Sequence, residues 1–396
     1  MIIAFTKDWN DVPTCTTHIL KEMSQKQPVL WVNSIGVRRP DLFKVSDLRR
    51  ILQRIWRCFA GIKDVEGSIS VLSPFLFPAA KRIVISYINK FLFQMQSSSW
   101  IRRHLKQGGK EQIEYWCFVP NSVSLIPSNS FIVYYCVDDW SCFHNLDGKW
   151  LSSQEKILLM KANVVFAVSR VLVEKCKKIL YDLNPAWTEK VHYSPHGVNY
   201  EMFHAAIIRK ENKVPEEIAG IKHPVIGFYG NLHPWIDFEL LRKIIEKRPL
   251  WSFVFIGECF CDKVDNIKFL PNVIMTGRKE YNLLPAYCSC FDAAIIPYDM
   301  KQKRMESVNP VKTLELLAAG VPVVSSDIPE LRNFSQDVAI CRSIDEWLTA
   351  LDAAVKRKDR TEISKRVETF DWKKRVEEIE EIVKKQKKNG RRTRCY

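Results

Sequence analysis

Asn309-Pro310-Val311-Lys312-Thr313-Leu314-Glu315-Leu316-Leu317-Ala318-Ala319-Gly320-Val321-Pro322-Val323-Val324 is the most informative stretch of this 396-residue chain. Pro310 has the fixed φ that suits a helix's first turn, Gly320 suits its end, and Val-Pro-Val-Val opens a buried strand. A helix start offers free backbone N–H groups and the positive end of a dipole, to which Lys312 adds a full charge. Together these make a seat for a diphosphate. Glu315 lies three residues on, near the same helix face, where its carboxylate is placed to accept from both hydroxyls of a ribose. Taken alone, the pair reads equally as a solvated ion pair, so its meaning depends on the rest of the chain.

The same alternation of buried strand and helix extends in both directions. Upstream, apolar runs of strand length occur at Ile2 to Phe5, Val29 to Val32, Ile113 to Phe118, Phe131 to Val137 and Val164 to Val168. A second series follows at Val225 to Tyr229, Ser252 to Ile256, Val273 to Thr276, Ala293 to Pro297 and Val321 to Ser325. Runs that are apolar throughout, rather than alternating, belong to parallel strands covered on both faces. Two doubly wound α/β sheets are therefore expected, as the length also suggests. The polar stretch Phe203 to His223, with Pro215 and Gly220, has the composition of a connection, which puts the boundary near residue 210. Ser343 to Lys388 is helical by periodicity and leads into a Lys/Arg-rich tail, Lys384 to Arg394.

Composition bounds the partners. Sixty Lys and Arg against 45 Asp and Glu leave a formal charge of +15, which favours phosphate-bearing molecules: nucleotides, anionic lipid or nucleic acid. The 12 cysteines are scattered, and several sit in apolar runs as small core residues, as expected of a reducing cytoplasm. Cys259/Cys261 and Cys288/Cys290 lack the two-residue gap of a zinc knuckle and are expected to be buried thiols. No apolar run approaches the ~20 residues that cross a bilayer.

The quoted stretch, as Asn-Pro-x-Lys-x-x-Glu-x-x-Ala-x-Gly-x-Pro-Val-Val, resembles the nucleotide-sugar signature of glycosyltransferase family 4 and its GT-B relatives. Further similarities run in the family's order. Ser194-Pro195-His196-Gly197-Val198-Asn199 with Phe203 resembles the segment closing the N-terminal domain, and Gly227-Phe228-Tyr229-Gly230 the first strand and loop of the donor domain. Asn272 to Gly277, Leu284-Pro285 and Phe291-Asp292 resemble its nucleobase region, and Phe370-Asp371-Trp372 the start of its last helix. Pro13-Thr14 to His18, Val29 to Gly36, Tyr134 to Trp140 and Trp235-Ile236-Asp237 are similar to the subgroup of teichuronic acid and capsule glycosyltransferases.

The resemblance implies a GT-B fold: two Rossmann-like doubly wound parallel-sheet domains facing an interdomain cleft. Residues 1–210 would bind the acceptor, 211–370 the nucleotide-sugar donor, and 371–396 would form a C-terminal helix and basic tail. It implies donor contacts from Gly230, Asn231, His233, Gly277, Arg278, Ser307, Asn309, Pro310, Lys312 and Glu315, with the base near Gly277 to Lys279. Two departures stand out. Where the family carries two glutamates with seven residues between them, the partner of Glu315 is Ser307, and Glu306 is one step out of register. The family's Arg and Lys after the Gly230 position are absent from Asn231 to Asp237, so Lys312, the helix start, and Arg304 or His233 must supply that charge.

In the N-terminal half, Asp138 and Asp139 follow a strand at its carboxyl end, where α/β sheets place ligands. One of them is a candidate base toward an acceptor hydroxyl; the alternative is an Asx turn or helix cap. Thr14, Thr17 and His18 follow the first strand where acceptor contacts are expected, though hydroxyl residues there serve equally as caps. His196 is expected to be an ordinary polar residue. No Asp-x-Asp occurs, so a metal-independent reaction with no cofactor beyond the donor is expected. Residues 49–62 project as a helix with Ile51, Leu52, Ile55, Trp56 and Phe59 on one side and Arg50, Arg54 and Arg57 opposite. Such a helix either lies at a membrane interface or packs on the sheet with its arginines in water.

The expected protein is thus a hexosyltransferase-like enzyme moving a sugar, UDP-linked in the donor, onto a cell-surface polysaccharide or lipid-linked glycan. It is expected in the cytoplasm, peripheral on the inner face of the plasma membrane, with an anionic membrane surface as partner and no nucleic acid. Two other readings are a GT-B-shaped binding or scaffold subunit without catalysis and a DNA-base glucosyltransferase.

Overall fold

A computed structural model describes residues 1–35, 61–77, 83–105, 112–142, 147–208 and 214–392. The basic segment expected over 49–62 lies outside these residues except at its last two positions, as does the end of the tail. The chain divides into two compact units, Met1–Ser194 with Val376–Tyr396, and Pro195–Arg375.

The first unit is built on eight strands: β1 (Ile2–Phe5), β2 (Val29–Val32), β3 (Ile62–Glu66), β4 (Ile69–Leu72), β5 (Glu114–Cys117), β6 (Phe131–Cys136), β7 (Val164–Ala167) and β8 (Val191–Tyr193). They lie in the order β3-β4-β2-β1-β5-β6-β7-β8, parallel except for the β3–β4 hairpin. β1, β2, β5, β6 and β7 are buried at every position, which is why all but β5, which opens on Glu114, read as continuous apolar runs.

The second unit holds β9 (Val225–Tyr229), β10 (Ser252–Ile256), β11 (Val273–Gly277), β12 (Ala293–Ile296), β13 (Val323–Ser326) and β14 (Val338–Cys341), in the order β11-β10-β9-β12-β13-β14 and all parallel. The order reverses between β9 and β12, and in such sheets ligands gather outside the carboxyl ends of the strands at the reversal. Gly227 in β9 is fixed by packing, since a Cβ there would run into the Phe291 ring. The expected pair of doubly wound sheets is therefore present.

The division falls at residue 194, earlier than the expected boundary near 210, because helix Tyr200–Ile208 belongs to the second core. Phe203 is buried in that core, and His204 Nδ1 shares a 2.8 Å hydrogen bond with Ser364 Oγ. The last helix, Trp372–Arg392, likewise does not stand apart. From Val376 onward it counts with the first unit, where Glu380 pairs with Lys26 at 2.7 Å and Lys387 with Glu114 at 2.6 Å. The stretch expected to be helical from Ser343 is three helices, Ile344–Ala354, Arg360–Lys365 and Trp372–Arg392. Of the Cys-x-Cys residues only Cys288 is buried; Cys259 is exposed. Among the described residues no helix is long and apolar enough to cross a membrane.

Candidate functional site

In the second unit, the loop after β9 and the helix Val311–Ala318, which follows β12, meet at the reversal of strand order. Pro310 caps the helix with a φ of −73°, and Gly320 ends it with a φ of +70°. Lys312 therefore sits in the first turn, as the sequence suggests. Its ammonium lies over the faces of Phe228, 4.3 Å from the centroid, and Tyr298, 5.7 Å away. Aromatic faces attract a cation without neutralising it. Among the described residues no carboxylate lies within ion-pair distance of Lys312 Nζ, so the charge remains available to an anion.

Gly230 makes room for this arrangement. Its φ of +125° is one that L side chains rarely adopt, and a Cβ there would collide with Lys312 Nζ. The Gly230 amide donates to Ile256 O at 2.8 Å, and Gly257, at φ +149°, donates to Gly277 O at 2.9 Å. Glycines thus line the carboxyl ends of β9, β10 and β11, leaving the backbone open there. Gly277 and Arg278 are exposed at the edge of this row.

Glu315 is 4% exposed. Its two carboxylate oxygens are engaged separately: Tyr229 Oη donates to Oε2 and Tyr281 Oη to Oε1, each at 2.7 Å. Burial raises the carboxyl above its ordinary range, while the two tyrosines and the Lys312 charge partly offset that rise. The expected ribose contact therefore meets an occupied carboxylate. Neither tyrosine was singled out from sequence: Tyr229 ends an expected strand and Tyr281 lies in none of the quoted motifs.

Removing the Tyr281 hydroxyl leaves half of a buried carboxylate without its donor. Tyr281→Phe is expected to destabilise the chain by about 1 to 3 kcal/mol at neutral pH. A raised carboxyl pKa means the folded chain keeps a proton that the unfolded chain has released, so stability falls as pH rises from the ordinary Glu range through the raised value. The substitution raises that value further, so the deficit should shrink below the ordinary Glu range, where both forms are protonated. Urea melts of the two proteins at acid and neutral pH measure it.

His233 stacks between Trp235, 4.0 Å away, and Phe260, 4.7 Å away, while the Arg304 guanidinium lies 5.0 Å over Trp235. Burial, then Arg304 and Lys312, lower the His233 pKa. At pH 7 it is neutral and offers a hydrogen bond, not the charge expected of it. Asn231 beside it is half-buried. Ser307 and Asn309 are buried just before the helix, with Ser307 Oγ donating to Arg304 O at 3.1 Å.

In the first unit, Asp138 and Asp139 follow β6 as expected, but their surroundings differ. Asp139 Oδ1 accepts from Lys175 Nζ at 2.9 Å, from Ser141 N at 3.1 Å and from Ser141 Oγ at 2.6 Å. Burial pushes its pKa up, but Ser141 and Lys175 outweigh that and leave it below the usual carboxylate range. Lys175 also reaches the buried Glu155 at 2.7 Å, which in turn accepts from Tyr134 Oη at 2.7 Å. Asp139 is therefore part of an ion-pair network and a weak base.

Asp138 is half-buried, and its charge reaches the Cys15 thiol, which burial above all pushes up to about 12. Cys15 opens helix Cys15–Ser24, so the acidic pair and the Thr14 to His18 segment are neighbours. Thr14 caps that helix, its amide donating to Thr17 Oγ1 at 3.2 Å, so both threonines serve the helix start. His18 is lowered to about 4 by burial, then by Lys21 and Lys7, and is neutral at pH 7.

The chain matches the family model described as glycosyl transferases group 1 over residues 223–357, which includes Gly230, His233, Gly277, Lys312 and Glu315. It is 29% identical over 209 residues to a Bacillus subtilis (strain 168) protein named as a teichuronic acid biosynthesis glycosyltransferase, TuaH. That alignment spans 50% of this chain and 51%, about half, of the relative. Among solved structures, Anabaena Alr3699/HepE in complex with UDP-glucose superposes with a TM-score of 0.63 at 11% identity, covering 97% of this chain and 100% of the other. An E. coli trehalose-6-phosphate structure bound with UDP-2-fluoro glucose gives 0.64 at 12% identity, covering 96% and 98%. At these identities the two structures speak for the fold alone. Residues 223–357 thus resemble glycosyl transferases group 1, and the paired parallel sheets give the chain the GT-B fold of those solved structures.

Proposed function

We propose that the chain is a glycosyltransferase that takes a sugar from a UDP-linked donor and places it on a cell-surface polysaccharide or lipid-linked glycan. The observation that carries this is Lys312: a first-turn ammonium beside Gly230, held over two aromatic faces and left to an external anion. The donor's diphosphate sits against this charge and the helix amides, and the base lies toward Gly277 to Lys279. As the bond from the sugar to the diphosphate breaks, negative charge grows on the leaving oxygen. Fixed positive groups stabilise that growth without reorganising, in the role a bridging metal plays elsewhere.

Ribose reaches Glu315 by exchanging one of its hydroxyls for that of Tyr281 at Oε1, one donor for another. The proton of the attacking acceptor hydroxyl passes to one of the pair Asp138 and Asp139, of which Asp139 is held by Lys175 and Ser141. Thr14, Thr17 and His18 lie near the pair on the acceptor side. The glycan acceptor is supported by the name of the Bacillus subtilis relative, and the two solved structures of this fold hold UDP-linked sugars. Such an acceptor places the chain in the cytoplasm at the inner face of the plasma membrane.

The test is to incubate the purified chain with a panel of nucleotide sugars and lipid-linked acceptors. Mass spectrometry is expected to show an acceptor heavier by one sugar and release of the nucleoside diphosphate. Binding of a nucleotide sugar with no turnover on any acceptor, and no donor hydrolysis, would leave a non-catalytic binding subunit instead.

A further inference from the structure

Helix Ile83–His104 carries its apolar residues on the wrong side for a packed helix. Its buried positions are Asn89, Phe93, Ser97 and Trp100, two of them polar. Its outward positions include Ile83, Val84, Tyr87, Ile88, Phe91 and Met95, with Ile83 and Tyr87 71% and 69% exposed. Ile83, Tyr87, Phe91 and Met95 repeat every fourth residue and form a stripe about 18 Å long. A surface helix ordinarily shows the reverse distribution.

The inward polar groups have a use that enlarges the apolar face. Asn89 Oδ1 accepts from Phe77 N at 2.8 Å and its amide donates to Phe77 O at 3.0 Å. Gln96 Oε1 accepts from Phe75 N at 2.8 Å and its amide donates to Phe75 O at 3.1 Å. Two exposed phenylalanines are thereby fixed beside the helix, their rings 5.6 Å apart. Contiguous exposed apolar surface of this kind marks an interaction site.

Charge identifies the occupant. Between Glu66 and Glu111 the sequence contains no Asp or Glu, yet it contains seven Lys or Arg, Lys90 among them on the helix itself. Arg103 pairs with Asp64 at 3.4 Å, and the stretch stays net positive; an apolar stripe with Tyr and Phe in such a stretch suits the boundary between anionic headgroups and acyl chains. We propose that this face docks the protein on an anionic lipid surface, with the helix lying in the plane of the interface. The site is distinct from the 49–62 segment, and the proposal does not depend on sugar transfer.

Sedimentation of the full chain with vesicles tests it. Phosphatidylcholine vesicles containing phosphatidylglycerol should carry the protein down, pure phosphatidylcholine much less, and salt should weaken the attachment. The triple variant Tyr87→Ser, Phe91→Ser, Met95→Ser should partition at least roughly tenfold less, with melting temperature and UDP affinity unchanged. If its melting temperature falls, Phe91→Ser alone provides the same reading. Equal partition of wild type and variant would overturn the proposal. So would a wild-type dimer that ignores vesicles and that the triple variant abolishes, since the face would then join two copies.

Discussion

Lys312→Ala is expected to weaken UDP binding by about 1.5 to 3 kcal/mol, the range for a hydrogen bond made by a charged group. The expectation rests on geometry, because the ammonium lies over Phe228 and Tyr298 beside a glycine whose missing Cβ is what admits it. Lys312→Met isolates the charge, since its unbranched stem retains much of the packing on Phe228 while the ammonium is lost. Both variants should show similar losses in calorimetry. Lys312→Arg should recover only part, because a planar guanidinium is broader than the slot between Gly230 and Phe228. Wild-type affinity in both neutral variants would sink the diphosphate site, and with it the main support for a nucleotide donor.

The fold was legible in the sequence where burial was complete. β1, β2, β9 and β10 have no exposed position, so hydrophobicity alone gives their bounds. β3 was not legible: Ile62–Glu66 is a mostly exposed edge strand of sequence Ile-Lys-Asp-Val-Glu, and its pairing with β4 rather than its composition makes it a strand. β8 is only three residues long. The boundary at 194 was also hidden, because His204 binds Ser364 and nothing in the local composition of Tyr200–Ile208 announces a partner that far along the chain.

The candidate site divides in the same way. Lys312 follows from Pro310 and helix periodicity, both local. The tyrosine pair on Glu315 does not, since Tyr229 is 86 residues and Tyr281 34 residues from it in the chain. A tyrosine closing an apolar strand looks like a core residue until its hydroxyl is seen to have a carboxylate to satisfy. His233 shows the converse: its place after β9 was legible, but the lowering of its pKa comes from burial and from Arg304 and Lys312, which a linear reading does not bring together.

Asp138 and Asp139 are adjacent and chemically identical, and only their neighbours separate them. Asp139 accepts three hydrogen bonds and pairs with Lys175, an environment that favours its ionised form and weakens it as a base. If Asp138 is the base, Asp138→Asn is expected to lower turnover by roughly 10² to 10⁴-fold, the usual contribution of a positioned base, with UDP affinity preserved. Asp139→Asn should do the opposite, lowering the melting temperature because Lys175 loses one of its two carboxylates while turnover stays within several-fold of wild type. A structural role for both predicts something else, because Asn caps a turn as well as Asp does. Near-wild-type turnover in both variants would thus remove the catalytic role, and a loss confined to Asp139→Asn would show that the Lys175 pairing serves the reaction rather than excluding Asp139 from it.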